Sequence, residues 1–174
     1  YKSLLAISIA GALIIFFLTT ISLFGTKSGQ LIFLSQPLTY GGDGLLSSVG
    51  AQRLIEGWII ENDRMGYPFG SSLKEYAGSD FLNLVFLKFF GQIFQSYFVA
   101  INFYFLIGFS LSFISTFLCM YFMGIDKYLS ISGAVVFTFL PFHFQRLDHL
   151  FYTWYFTVPI IFLIGYKIYS DDTK

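Results

Sequence analysis

Long apolar runs alternate along this chain with one long polar segment near its start. The first run, Leu4–Phe24, holds 21 residues without a charge. As a helix it would be about 31 Å long, close to the hydrocarbon thickness of a bilayer. Three later runs have the same character: Tyr97–Met123, Tyr128–Phe144 and Leu150–Tyr166. The pattern predicts an all-α, polytopic membrane protein with about four transmembrane helices.

A further apolar run, Phe81–Phe94, is too short for an ordinary span. Its 14 residues would extend only about 21 Å as a helix. Ser79 or Asp80 precedes it, and both residue types are favoured helix N-caps. We therefore expect a partly buried or re-entrant helix here.

The long polar segment Thr26–Asp80 carries ten of the twenty charged residues, six acidic and four basic. It is too long for a simple connection and is expected to be the first extramembrane loop. Apolar side chains recur within it at helical spacing: Ala51, Leu54, Ile55, Trp58 and Ile59. Polar side chains including Arg53 fall on the opposite face. This periodicity predicts an amphipathic helix that lies flat on the membrane surface.

The composition supports a membrane protein. Apolar residues make up 56% of the chain and charged residues 11%, against about 25% charged in a typical soluble domain. The net charge is zero, so no nucleic-acid partner is expected. Cys119 is the one cysteine, which excludes an internal disulfide and a cysteine-rich metal site.

Basic residues in the short loops predict the orientation. If Phe81–Phe94 does not cross the membrane, a cytoplasmic N-terminus places four lysines inside: Lys2, Lys127, Lys167 and Lys174. Only Arg146 then lies in a short outer loop. If Phe81–Phe94 does cross, the later assignments reverse and the bias weakens.

Asp43 lies in the flexible sequence Gly-Gly-Asp-Gly at the start of the amphipathic helix. One interpretation is that it caps this helix, because aspartate accepts well from free backbone N–H groups. The other is a functional carboxylate, since the flanking glycines leave it uncovered and let a ligand approach the backbone. The glycine spacing does not match a phosphate-binding fingerprint.

A second polar cluster occurs in the turn "FHFQRLDH", which holds His143, Arg146, Asp148 and His149. Ionisable groups at membrane depth are costly and often mark a site. Asp148 and His149 have side chains that can bind a divalent metal, and Arg146 could pair with a phosphate. The alternative is a solvated turn with an Arg–Asp pair. The spacing of the two histidines does not indicate zinc.

This layout resembles the GT-C superfamily of polytopic glycosyltransferases, which use polyprenyl-phosphate-linked sugars. The shared features are an acid soon after the first span, a flat helix in a long first outer loop, and an acidic turn between later spans. Two sequence segments are similar to those of a group of uncharacterised bacterial membrane proteins near that superfamily: "GGDGLLSSVGAQRLIEGW…GYPFG" and "LPFHFQRLDHLFYTWYFTVP". The resemblance covers nearly all 174 residues and corresponds to the N-terminal part of a longer protein, with residues 26–80 as the first outer loop.

The resemblance implies roles for particular residues. Asp43 matches the first-loop acid that serves as general base or metal ligand. Asp148 matches the acidic motif of the second outer loop, where a second acid is common and His149 stands here. A divalent cation, Mg²⁺ or Mn²⁺, is the implied cofactor, and the substrate-binding residues would be Arg146, His149 and Arg53. The other loop acids are expected to be solvated or capping: Glu56, Glu61, Asp63, Glu75 and Asp80.

The expected function is transfer of a sugar from a polyprenyl-phosphate-linked donor to an acceptor at the outer face of a bacterial plasma membrane. The partners would be membrane lipids and the lipid-linked donor. The alternatives are a lipid or polysaccharide transporter and a non-catalytic membrane scaffold. A transporter more often places ionisable groups inside its spans, whereas here the acids gather at one face. If the enzyme interpretation holds, Asp43 and Asp148 should line a shared cavity, with carboxylates within about 10 Å.

Overall fold

A computed structural model gives the structure of residues 2–27, 30–31, 34, 36–39, 41–57, 59–64, 66–72, 74 and 80–172. These residues are mostly helical. The α-helices are α1 (Lys2–Phe24), α2 (Gly42–Glu56), α3 (Phe81–Phe94), α4 (Tyr97–Phe122), α5 (Lys127–Thr138), α6 (Pro141–Gln145) and α7 (Thr157–Asp172). A 3₁₀ helix covers Leu150–Thr153, and two antiparallel hairpins pair β1 (Thr26–Lys27) with β2 (Gln30–Leu31) and β3 (Glu61–Asn62) with β4 (Ser71–Ser72).

Two helices in the described part of the chain, α1 and α4, are long and apolar enough to cross a membrane, judged by length and composition. They pack side by side in opposite directions. Phe16 meets Phe103 with ring centroids 5.7 Å apart, while Ser110 Oγ donates to the carbonyl of Ala12 at 2.9 Å. Small residues let the two backbones approach, since Gly11 lies directly against the ring of Phe113.

Helix α4 is the centre of the fold and contacts α1, α2, α3, α5 and α7. Its buried face is mainly aromatic, with Tyr104, Phe105, Phe109 and Phe117 fully enclosed. Trp154 stacks on Tyr104 with centroids 4.1 Å apart and donates from its indole nitrogen to the Tyr104 carbonyl at 2.8 Å. This double contact fixes the segment around the 3₁₀ helix to the first third of α4.

Helices α2 and α3 are joined near the end of α2. The Lys88 ammonium donates to the carbonyl of Gly57, the C-cap residue of α2. A positive charge there also complements the negative end of the helix dipole. Gly91 admits the side chain of Ile55 at a distance that a Cβ would prevent.

Three sequence-based boundaries are confirmed: the first long run forms α1, Phe81–Phe94 forms α3, and Tyr97–Met123 forms α4 with its end at Phe122. Asp80 occupies the N-cap position of α3, but its side chain makes no capping hydrogen bond. Ser79 lies outside the described residues.

The prediction of one continuous helix over Tyr128–Phe144 is wrong. The run divides into α5, which ends at Thr138, and the short α6, which begins at Pro141. Proline has no N–H, so the carbonyl of Phe137, four residues earlier, cannot accept the usual helical bond. The Leu140 N–H reaches this carbonyl at 3.4 Å, and the Tyr155 hydroxyl lies 3.2 Å from it and 3.1 Å from the carbonyl of Thr138.

The prediction of a helix over Leu150–Tyr166 is also wrong at its start. A 3₁₀ helix ends at Thr153, and α7 begins only at Thr157. The intervening Trp154 turns into the core to stack on Tyr104. Packing therefore overrides an apolar pattern that would suit a continuous helix.

The loop helix exists but differs in detail from its prediction. It ends at Glu56 with Gly57 as C-cap, so Ile59 is not part of its apolar face, and Trp58 lies outside the described residues. The interpretation of Asp43 as the N-cap is wrong. Gly41 holds that position, and Asp43 lies within the first helical turn.

Candidate functional site

An open cavity of about 350 Å³ lies where α2 and α3 begin. Residues that are distant in sequence line it: Asp43, Ser47, Asp80, Asp148, His149, Leu150, Phe151 and Tyr152. Asp43 and Asp148 therefore both line one cavity, as expected. The cavity combines titratable side chains with an apolar and aromatic wall, the usual character of a small-molecule site.

Asp43 and His149 are paired across this cavity. The Oδ2 atom of Asp43 lies 3.3 Å from Nδ1 of His149, and their side chains are 64% and 42% exposed. Asp43 lies in the first turn of α2, which directs its side chain toward His149 in the turn before the 3₁₀ helix. The exposure leaves both groups accessible to a ligand.

Asp148 is held beside the same helix start. Its Oδ1 atom accepts from the Thr39 hydroxyl at 2.7 Å. A Cβ on Gly44 would lie 2.9 Å from this oxygen and 2.6 Å from Cγ2 of Thr39. Because Gly44 has no side chain, Asp148 can lie close to α2. The negative charge of Asp148 there is stabilised by the positive end of the helix dipole.

Asn102 supports this arrangement from inside the protein. It is fully buried on α4, and its amide nitrogen donates to the carbonyls of Leu34 and Gln36 at 2.7 and 2.6 Å. These contacts tie the segment before Thr39 to the core helix. Asn102 thus sets the position of the residue that holds Asp148.

Asp80 is a site residue that sequence reasoning missed, because the loop acids were expected to be merely solvated or capping. It lines the cavity from the N-cap of α3 and makes no capping bond. Gly41 at the start of α2 also has no side chain to cap that helix. Two helix N-termini without side-chain caps therefore meet at the cavity and provide partial positive charge and free N–H groups. The sequence signal for Asp80 was its position directly before an apolar helix.

Other predicted residues are placed outside the lining of this cavity. The guanidinium of Arg146 lies over the ring of Phe142, 5.2 Å from its centroid. Arg53 pairs with Glu56 at 2.7 Å. His143 is fully buried, stacks on Phe109 with centroids 3.6 Å apart, and has Nδ1 3.2 Å from the Tyr155 hydroxyl.

Whether this cavity can bind a divalent cation depends on the ligand atoms that the substrate supplies. Among the residues described, no group of three or more His, Cys, Asp or Glu side chains is arranged to hold a metal ion. Asp43 and Asp148 offer two carboxylates in one cavity. Mg²⁺ commonly takes one or two carboxylates and completes its shell with water and substrate phosphates. The residues therefore fit a cation that arrives with a phosphate-bearing ligand, and do not fit one bound by the protein alone.

Comparison with known proteins gives no relatives. The chain matches no protein family model, no curated protein and no solved structure.

Proposed function

We propose that this chain is part of an integral membrane glycosyltransferase that takes a sugar from a polyprenyl-phosphate-linked donor. The observation that carries the proposal is the cavity in which Asp43, Asp148 and His149 meet at the starts of α2 and α3. Carboxylates, an imidazole and two uncapped helix N-termini supply both a proton acceptor and positive ends for a phosphate.

The proposed membrane arrangement is supported by the antiparallel packing of α1 and α4. Both would cross a bacterial plasma membrane, with α5–α6 and α7 as shorter additional crossings that complete four spans. The cavity lies toward the C-terminal end of α1 and the N-terminal end of α4. With the N-terminus in the cytoplasm, the cavity would open at the outer face, at the level where a lipid-linked phosphate resides.

Asp43 would act as the general base. As the acceptor hydroxyl attacks the anomeric carbon, its proton passes to the Asp43 carboxylate and a new C–O bond forms. The bond between the sugar and the lipid phosphate breaks, and its electron pair leaves with the phosphate. His149, 3.3 Å from Asp43, would orient the carboxylate and bind substrate.

The leaving phosphate needs positive charge, because three carboxylates line the cavity: Asp43, Asp80 and Asp148. The N-termini of α2 and α3 each contribute about half a unit charge. Mg²⁺ or Mn²⁺ bound with the donor would neutralise the phosphate further. Arg146 and Arg53 would need to leave their present partners, Phe142 and Glu56, to contribute.

The test is transfer from a panel of polyprenyl-phosphate-linked sugars by the full-length protein and its Asp43→Asn variant. Loss of a catalytic base costs about 10²–10⁴-fold in rate. Asp63→Asn is the matched control, because Asp63 is an exposed hairpin acid that is not part of the cavity lining. Undiminished transfer by Asp43→Asn would exclude Asp43 as the base, and no transfer by the wild type would favour a transporter or scaffold. Addition of EDTA, followed by Mg²⁺ or Mn²⁺, tests the cation separately.

A further inference from the structure

The β3–β4 hairpin ends in an aromatic tip, residues 66–70, that stands free of the protein. Tyr67 is 95% exposed and Phe69 is 96% exposed. The next most exposed large apolar side chains in the described chain reach 71%. Two aromatic side chains, two residues apart, are thus presented outward.

The tip is a closed turn. Gly66 and Gly70 have φ of +71° and +80°, values that side-chain-bearing residues rarely adopt. The Phe69 N–H donates to the Gly66 carbonyl at 3.1 Å, and Gly66 lies so close to the Gly70 carbonyl that a Cβ would overlap it.

The base of the hairpin is polar and internally neutralised. Lys74 pairs with Glu61 at 3.0 Å, and Arg64 pairs with Glu56 at 3.3 Å. The hairpin therefore changes from paired charges to bare aromatic rings over a few residues. Such a gradient matches the boundary between lipid headgroups and acyl chains, where Tyr and other amphipathic rings concentrate.

Other occupants fit less well. A protein partner usually buries about 800 Å² on each side, far more than two side chains offer. The hairpin also directly follows α2, the helix expected to lie along the membrane surface.

We propose that the aromatic tip inserts into the headgroup layer of a lipid bilayer and anchors the loop that follows α2. This rests on the membrane location proposed above and is independent of glycosyl transfer. The anchor would hold α2, and with it Asp43, at a fixed level relative to the lipid.

Spin-label depth measurement on the full-length protein in phosphatidylcholine nanodiscs tests this anchor. Single cysteines replace Phe69, Asp63 and Leu13 in turn, on a Cys119→Ser background. Asp63 reports the base of the same hairpin, and Leu13, 65% exposed on α1, reports the lipid-facing surface. Power saturation compares collisions with oxygen, which concentrates in lipid, and with a water-soluble nickel chelate.

The expected result is a severalfold higher oxygen-to-nickel ratio at residue 69 than at residue 63, shifted toward the value at residue 13. The same labels on a Tyr67→Ser background should show the ratio at residue 69 falling. A water-like ratio at residue 69 together with a lipid-like ratio at residue 13 would overturn the anchor and leave the membrane fold intact. A water-like ratio at residue 13 would overturn the membrane location and the anchor together, whatever the outcome of the transfer assay.

Discussion

The Oδ2 atom of Asp43 lies 3.3 Å from Nδ1 of His149, which joins the first turn of α2 to a turn more than a hundred residues later. Both side chains remain largely exposed. Exposed ion pairs contribute little to stability, typically about 0.2–1 kcal/mol. The pair is therefore better explained by the cavity that it borders than by the energetics of folding.

A double-mutant cycle of Asp43→Asn and His149→Gln should separate these roles. We expect a coupling energy below about 1 kcal/mol in unfolding, because solvent screens the pair. In sugar transfer the two substitutions should be strongly non-additive, with the double variant close to the worse single variant, because groups that act as a unit lose their effect together. Thermal unfolding in one detergent and transfer rates supply the two readings. Additive losses in transfer would show that the residues act separately.

The parts of the fold that the sequence predicted well are those in which local pattern and packing agree. Helix α3 has the bounds predicted from its apolar run, which Asp80 precedes and Gln95 follows. The hydropathy pattern predicted the wrong helix bounds where a single residue breaks the helix or where packing directs the backbone away from it. Pro141 divides a run that is apolar throughout, and Trp154 leaves the helical path to stack on Tyr104.

The site was predictable to the same extent. The expectation that Asp43 and Asp148 share one cavity comes from the resemblance to the GT-C layout, in which they match the acids of the first and second outer loops. Thr39 could not be found from the sequence, since its role depends on its contact with Asp148. Asp80 had a sequence signal, its position before an apolar run, but its place in the cavity lining depends on the fold. Asn102 contributes to the Thr39 contact by tying the segment before Thr39 to α4.

Gly44→Ala should damage the site, whereas Gly50→Ala should not. A Cβ at Gly44 would lie 2.6 Å from Thr39 Cγ2 and 2.9 Å from Asp148 Oδ1, while a Cβ at Gly50 would have no neighbour within 4 Å. Both lie inside α2, so each gains about 1 kcal/mol of helix propensity. Crowding at Gly44 costs about 1–3 kcal/mol, and it would push Asp148 away from Thr39.

Thermal unfolding should therefore place the Gly50→Ala midpoint above the wild type and the Gly44→Ala midpoint below that of Gly50→Ala. One kcal/mol corresponds to roughly 2–4 °C for a chain of this size. Sugar transfer should fall only in the Gly44→Ala variant. Equal midpoints and equal activities would show that the close approach of Asp148 to α2 is not required.

The last prediction concerns the side of the membrane on which the cavity opens. Helix α4 has 26 residues and would be about 39 Å long, so its two ends should face opposite compartments. The hairpin and the 3₁₀ helix belong to the end where α4 begins, and Tyr128 follows the end where it stops. Single cysteines at Asp63, Tyr152 and Tyr128, on a Cys119→Ser background, are exposed enough to react with a membrane-impermeant maleimide; Tyr152 is 59% and Tyr128 71% exposed.

In intact cells, or in spheroplasts if an outer membrane blocks the reagent, residues 63 and 152 should be labelled, and residue 128 should be labelled only after the membrane is opened. Labelling of residues 63 and 152 from opposite sides would contradict a cavity shared by the first loop and the later turn, and the same-side pattern with residue 128 outside would reverse the orientation while leaving the cavity intact.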